Sequence, residues 1–414
     1  MSHKPSIIHF LVGLCAFYAS FSLAAPKQKI TIWEHEREEI VVMLDELIKK
    51  YSKLHPDIEI KRAHYKTEEL RTQFQTAALG GGGPDIIIAP NDFAGPLSLM
   101  GLIKPVNDQV KVDEHFVEVI DAVRGEDGKI WGYPMSRGNH LMLFVNKKMI
   151  KSAPETIEAM VAEAKKITNA SKKVYGLAYN LNEPFWFASF MAAHGEKPLI
   201  KSQPNLMASG VINALTMVHD WKYKDKIVPA DCDYTCADTL FVEGANEKSK
   251  EAKAAMTING DWAISKYEEA HKSNLMIAPL PKSEKTGQYM QPMISGKYVF
   301  VSRNVKPKQL EAVSKFAAYL ASAEAQEYAA KVADRLPSLK SVAASDVVTK
   351  DPILMASQNA LSHGQPMPMD VGLRAVWDAM RPQLQNVMAG RTQPTIAAKN
   401  MQKDAETKIK EMRQ

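Results

Sequence analysis

The sequence predicts an α/β protein made of two α/β units, and three observations carry that expectation. Short apolar runs alternate with helix-spaced ones from Lys29 onward. The same alternation resumes after residue 150. Two extended stretches, 131–145 and 291–301, hold Gly and Pro where the chain would cross between units. A length of 414 residues exceeds one ordinary core and suits two or more.

Taken in order, a strand is expected over 30–33, then Ile40, Leu44, Leu47, Ile48, Tyr51 and Leu54 repeat at helical spacing until Pro56 breaks the pattern. A strand over 58–63, a helix around Leu70, Phe74 and Ala78, and a buried-looking strand over 85–89 follow. Strands and helices of these lengths, alternating, imply a mostly parallel sheet with helices on both faces. In the second unit the pattern gives a helix over 156–167, a strand over 175–179, a helix over 206–223 and a strand over 255–258. Beyond Pro307 the chain reads as helical, ending in a charged helix over 395–412.

The first residues differ from the rest. Lys4 provides a positive start, 10–17 an apolar run, and Ser22-Leu23-Ala24 a small-residue cleavage pattern, so a secretory leader cleaved after Ala24 is expected, with a periplasmic mature protein. The run is shorter than the ~20 residues of a spanning helix. Leu14 before Cys15 argues against lipidation. Losing Lys4 lowers the net charge from +5 to +4, and acids are interspersed with bases, so no nucleic-acid partner is expected. Cys232 and Cys236 then stand as an isolated pair, which in an oxidising compartment reads as a disulfide rather than a metal site. No metal and no cofactor are expected.

Gly80 to Gly83 is not a phosphate cradle, because Pro84-Asp85 opens a strand where a P-loop needs Gly-Lys-Ser/Thr opening a helix. Ligands in open α/β sheets lie beyond the carboxyl ends of strands. Asn91, Asp92 and Phe93 follow one strand, Asn180, Glu183, Phe185 and Trp186 another, and Asp261 and Trp262 a third. Each place pairs a carboxylate or amide with an aromatic ring, the combination that binds sugar hydroxyls and packs on sugar faces. The alternative is that Asp92 and Asp261 cap helices and the rings fill the core.

Several runs together resemble the maltose-binding protein family of extracellular solute-binding proteins. They are Pro84-Asp85-Ile86-Ile87 with Asn91-Asp92-Phe93 and Gly101-Leu102-Ile103; Gly132-Tyr133-Pro134 before Asn146-Lys147; Asn182-Glu183-Pro184-Phe185; Ala255 to Trp262; Met367-Pro368; and Ala375-Val376-Trp377. The resemblance covers nearly all of the mature chain. It implies two hinged α/β lobes of the maltose-binding type: 25–138 with 297–345, and 139–296 with 346–414. An oligosaccharide would be enclosed between them and delivered to the membrane subunits of an ABC importer by a monomeric binder that is not an enzyme. Carried over by residue, Asp92 binds hydroxyls from the first lobe, with Glu36 and Arg37 in place of a first-strand polar pair. Glu183 binds them from the second. Phe185, Trp262 and Trp377 stack on sugar rings, and Met367 and Arg381 lie at the cleft.

The chain also departs from the family's pattern. Ala89 stands where maltose binders carry a stacking Trp, Phe93 where an Arg follows the cleft Asp, Phe185 for a Tyr, and Asn139 for a cleft Glu. With Arg137 and His140 adding positive potential, an anionic or phosphorylated solute is a second reading. A secreted carbohydrate-active enzyme using Asp92, Glu183 or Asp261 is a third, and a ligand carrier docking on a chemoreceptor a fourth.

Overall fold

The computed structural model describes Met1, residues 27–245 and residues 251–412. The expected leader and its cleavage site therefore lie outside the described residues. In chain order the strands are β1 (Gln28–Glu34), β2 (Ile58–His64), β3 (Ile86–Pro90), β4 (Tyr133–Pro134), β5 (Leu141–Asn146) and β6 (Tyr175–Tyr179). A small hairpin, β7 (Leu199–Ile200) and β8 (Gln203–Pro204), precedes β9 (Ala254–Gly260) and β10 (Leu275–Ala278). Last come β11 (Met293–Ile294), β12 (Lys297–Val301) and β13 (Gln365–Pro366).

The central strands are apolar along their whole length because both faces are covered. Ile86-Ile87-Ile88-Ala89-Pro90 of β3 and Leu141 to Asn146 of β5 are buried at every position. Over the first sheet, the Glu38–Leu54 helix buries Ile40, Met43, Leu44, Leu47 and Tyr51 and sets Glu38 and Glu39 at its positive end. Thr156 caps the Ile157–Ile167 helix by accepting from the Ala159 amide.

Two sheets result, ordered β2-β1-β3-β12-β4 and β10-β5-β9-β6. The expectation of mostly parallel sheets is corrected here. β12 runs antiparallel to β3 and β4, and in the second sheet only β6 and β9 are parallel. β5 and β12, on which the chain enters each sheet from the other, follow no crossover helix, and both run antiparallel to their neighbours. Each sheet has its own large core. One joins Ile32, Ile87 and Phe300 to the Pro307–Leu320 and Ala323–Ala333 helices; the other joins Phe144 and Ile258 to the Val371–Met388 and Pro394–Met412 helices.

The chain passes between the sheets after β4, before β12 and again after the Ala323–Ala333 helix. These passages are tied together. Gly138 and Ser295 exchange backbone hydrogen bonds of 3.1 and 2.8 Å, and the Arg137 amide donates to the Leu336 carbonyl at 2.8 Å. At Gly296 any Cβ would collide with the Ser136 carbonyl, so only glycine permits this approach. Cys232 and Cys236 are joined as a disulfide, their Cα atoms 5.2 Å apart. No described helix is long and apolar enough to cross a membrane.

Candidate ligand-binding site

The site is assembled where strands end. Glu34 closes β1 and is followed by His35, Glu36 and Arg37 before the next helix begins. Pro90 closes β3, and a single turn, Asn91–Phe93, presents Asp92. Across the gap Glu183 starts the Pro184–Ala192 helix after β6, and Trp262 sits on the turn after β9. Between them lies a cavity of about 380 Å³.

Its two walls differ in chemistry. From the first lobe come His35, Glu36, Arg37, Glu68, Arg71 and Asp92, with Thr67 and Lys297 beside them. The second lobe contributes rings, Phe185, Trp186, Tyr234, Trp262 and Trp377, together with Asn139, Asn180, Glu183, Met367 and Arg381. Four of these rings form a continuous row. Phe185 lies 6.2 Å from Trp262, Trp262 5.9 Å from Trp186, and Trp186 6.4 Å from Tyr234.

Charges on the walls are paired. Arg71 Nη2 lies 3.1 Å from Asp92 Oδ2, while Asp92 Oδ1 is buried without a hydrogen-bond partner. Lys297 Nζ is 3.0 Å from Glu36, whose other oxygen is 3.5 Å from Arg335. Burial alone would raise the Glu36 carboxyl, but the Lys297 and Arg335 cations hold it down at about 2. Arg381 contacts Glu183 closely and stands 3.7 Å from Glu68, which also meets Arg374 at 2.9 Å. Burial raises the Glu183 carboxyl despite that partner. Arg37 reaches across to the Tyr234 hydroxyl and lies 3.3 Å from Asp238.

Of the eleven residues expected to bind ligand, ten line this cavity: Glu36, Arg37, Asp92, Asn139, Glu183, Phe185, Trp262, Met367, Trp377 and Arg381. Phe93 does not. Its ring is wholly buried in the first core beneath the Arg71 guanidinium, 4.1 Å away, because neighbouring residues on one turn point in different directions. Trp377 and Met367 are only 4% and 2% exposed, so each is mostly core with an edge at the cavity. The supposed positive potential of Arg137 and His140 is also absent from the cavity. Arg137 pairs with Glu118 at 2.7 Å and lies over Phe116. His140 is fully buried and donates from Nε2 to the Ser357 carbonyl at 3.0 Å, and burial lowers its pKa.

Eight lining residues fall outside that expected set, not counting Pro90. Applying the strand-end rule to β1 and β2 would have found His35, Thr67, Glu68 and Arg71, and Asn180 and Trp186 stand in a run already singled out. Lys297 begins a strand rather than ending one. It reaches the site because β12 is antiparallel and pairs Lys297 with Pro90. Tyr234 follows no strand, and only its place inside the disulfide loop marks it.

Two α/β lobes tied by several chain passages, with a ligand-sized cavity between them, define the solute-binding class of proteins. The chain belongs to the bacterial extracellular solute-binding protein family, whose model matches residues 46–356. It is similar to the maltotriose-binding protein of Pyrococcus abyssi, 23% identical over 368 residues, covering 87% of this chain and 77% of that one. Similarity to the galactooligosaccharide-binding protein of Bacillus subtilis is 24% over 424 residues, covering 96% of each. Among solved structures, the maltose/maltodextrin-binding domain from Bdellovibrio bacteriovorus bound to maltotriose is 34% identical, covers 92% of this chain and 100% of its own, and has a TM-score of 0.86. The maltotriose binding protein of Thermus thermophilus, at 22% identity and a TM-score of 0.82, shows the shared fold. The fold is therefore the maltose-binding type, and the family and its neighbours are binding proteins.

Proposed function

We propose that this protein captures a short, neutral oligosaccharide of the maltodextrin kind between its lobes and delivers it to the membrane subunits of an ABC importer. The observation that carries this reading is a cavity with rings gathered along one wall and hydrogen-bonding side chains on both. A sugar ring offers an apolar face and a rim of hydroxyls, and such walls match both. The relatives and neighbours that bind maltotriose or galactooligosaccharides support it.

The charge pairing favours a neutral ligand over an anionic one. Arg37, Arg71, Lys297 and Arg381 each face a carboxylate, so a phosphate would have to compete for them. Asp92, Glu183 and the amides of Asn139 and Asn180 serve as hydroxyl partners, while Phe185 and Trp262 stack. The same pairing disfavours hydrolysis, since Arg71 and Arg381 occupy the two cleft carboxylates that would act as acid and nucleophile. Closure hinges on 135–140, 293–297 and the segment 334–351, with first-lobe residues 25–138 and 297–345 moving against the rest. The importer then reads the closed surface of a periplasmic monomer whose chain starts near Ala25.

Calorimetry tests the reading. Maltotriose and a galactooligosaccharide are titrated into the protein beside glucose 6-phosphate, and the recovered sugar is analysed for cleavage. Micromolar binding of an intact neutral oligosaccharide is expected, about 8 kcal/mol. Binding of the phosphate ester alone would overturn it, and so would cleavage.

A further inference from the structure

The disulfide closes a loop of five residues whose middle member, Tyr234, lines the ligand cavity. Within that loop Asp233 caps the following helix, its Oδ1 accepting from the Cys236 amide at 2.8 Å. Cys232 is 1% exposed, and its carbonyl accepts from the Leu181 amide at 3.0 Å, fastening the loop to the segment that leads to Glu183. Two residues after Cys236, Asp238 is buried and receives Lys266. Arg37, 19% exposed, contacts the Tyr234 hydroxyl and stands 3.3 Å from Asp238, with its guanidinium carbon 5.6 Å from the Tyr234 ring centroid.

We infer that the Cys232–Cys236 bridge is a positioning element of the binding site: it fixes Tyr234 and Asp238 as the seat on which Arg37 clasps the second lobe when the cleft closes. A bridge over so short a loop restricts the unfolded chain little, so global stability is a poor account of its presence. Its position is a better one. Tyr234 ends the row of rings at one end of the cavity, and a freely moving loop there would have to be ordered again at every closure. With the seat preformed, Arg37 meets a hydroxyl and a carboxylate already in place. Tyr234 and Arg37 thus act on the ligand through closure as well as by lining its site, while the two cysteines act only through Tyr234 and Asp238.

The test is a coupling measurement. Maltotriose affinity is read for the full chain, for Cys232→Ser/Cys236→Ser, for Arg37→Gln and for the triple variant, with natively reduced wild type guarding against misfolding of the Ser pair. Opening the bridge and removing Arg37 should each weaken binding about five- to thirty-fold, whereas Arg37→Gln in the bridge-free protein should add less than about two-fold. Hydrogen exchange without any sugar reads the clasp directly. Opening the bridge should lower protection in the peptide over 34–44 on the opposite lobe as well as over 227–245. Additive affinity losses would overturn the inference, as would exchange changes confined to 227–245. The affinity arm rests on the proposed function and the exchange arm does not, so a wild type that ignores maltotriose would refute that function while exchange still decides the clasp.

Discussion

Arg335 and Asp261 face each other where the lobes join, Nη1 to Oδ1 at 3.4 Å, with neither side chain more than 4% exposed. Glu36 takes the other side of the same guanidinium at 3.5 Å. One cation from the third chain passage thus links the end of β1 in the first lobe to the end of β9 in the second. Asp261 also accepts from the Asn139 amide at 3.0 Å, which ties it to the first passage.

Removing that cation takes from the buried Asp261 its guanidinium partner and leaves the buried Glu36 with Lys297. Arg335→Met keeps the volume and deletes the charge, and the loss should cost about 3 to 5 kcal/mol. Urea unfolding of the variant beside the wild type measures it. A loss below about 1 kcal/mol would mean that Lys297 and the Asn139 amide suffice for the two acids.

Trp262 and Trp377 are expected to part company. Trp262 is half-buried and lies in the row of rings, so Trp262→Ala should weaken oligosaccharide binding by roughly 1 to 3 kcal/mol with a modest stability change. Trp377 belongs to the second core and shows only an edge, so Trp377→Ala should cost about 3 to 5 kcal/mol of stability as well as affinity. Melting curves and calorimetry on both variants check this, and equal stability losses would contradict it.

Gly260 supports the same ring from beneath. A Cβ there would fall inside the Trp262 indole, at the last residue of β9. Gly260→Ala should therefore turn Trp262 out of the row and weaken ligand binding at least as much as a partial loss of stacking, about 1 kcal/mol or more. Tryptophan fluorescence on adding maltotriose reports the ring directly; an unchanged response would show that the indole has room to shift.

How much was legible in the sequence depends on what each residue's position obeys. Asp92, Glu183 and Trp262 follow strands directly, so local pattern and a general rule of α/β sheets located them. Trp377 and Arg381 lie one helical turn apart on a helix of the second lobe and became visible only through the resemblance to a family. Lys297 was hidden because strand direction is a tertiary property: the same residue would lie at the far edge of the sheet if β12 ran parallel to β3. Phe93 was placed wrongly because sequence adjacency to Asp92 says nothing about which of two neighbours faces the cavity. The mixed sheets were hidden for the reason that hid Lys297, since alternation of strands and helices does not reveal where a chain re-enters a lobe.

Binding should be weaker in acid, and His35 supplies the cause. Its Nε2 lies 3.0 Å from Lys297 Nζ, and an ammonium only donates, so Nε2 accepts and Nδ1 carries the proton toward the Thr67 hydroxyl 3.1 Å away. Burial first, then the Lys297 charge, lowers the ring's pKa from 6.5 to about 3; Glu36 opposes this, and Arg71 and His64 add to it. Opening the cleft returns the ring to water and toward 6.5, so the open state binds more protons between those values and acid favours it. Closure is therefore fully supported above pH 6.5 and loses support as the pH falls toward 3. Glu36, held at about 2 here, keeps its first-lobe partner Lys297 when the cleft opens, so only its Arg335 contact adds to the loss, whereas the raised Glu183 carboxyl offsets part of it. The ceiling is about 1.4 kcal/mol per pH unit, and a half-buried ring stays below it. Maltotriose affinity at pH 7.5, 5.5 and 4.5 should fall progressively in the wild type and more gently in His35→Gln, which cannot take the proton. Parallel slopes in the two proteins would remove His35 from the account and leave the acid sensitivity to the carboxylates.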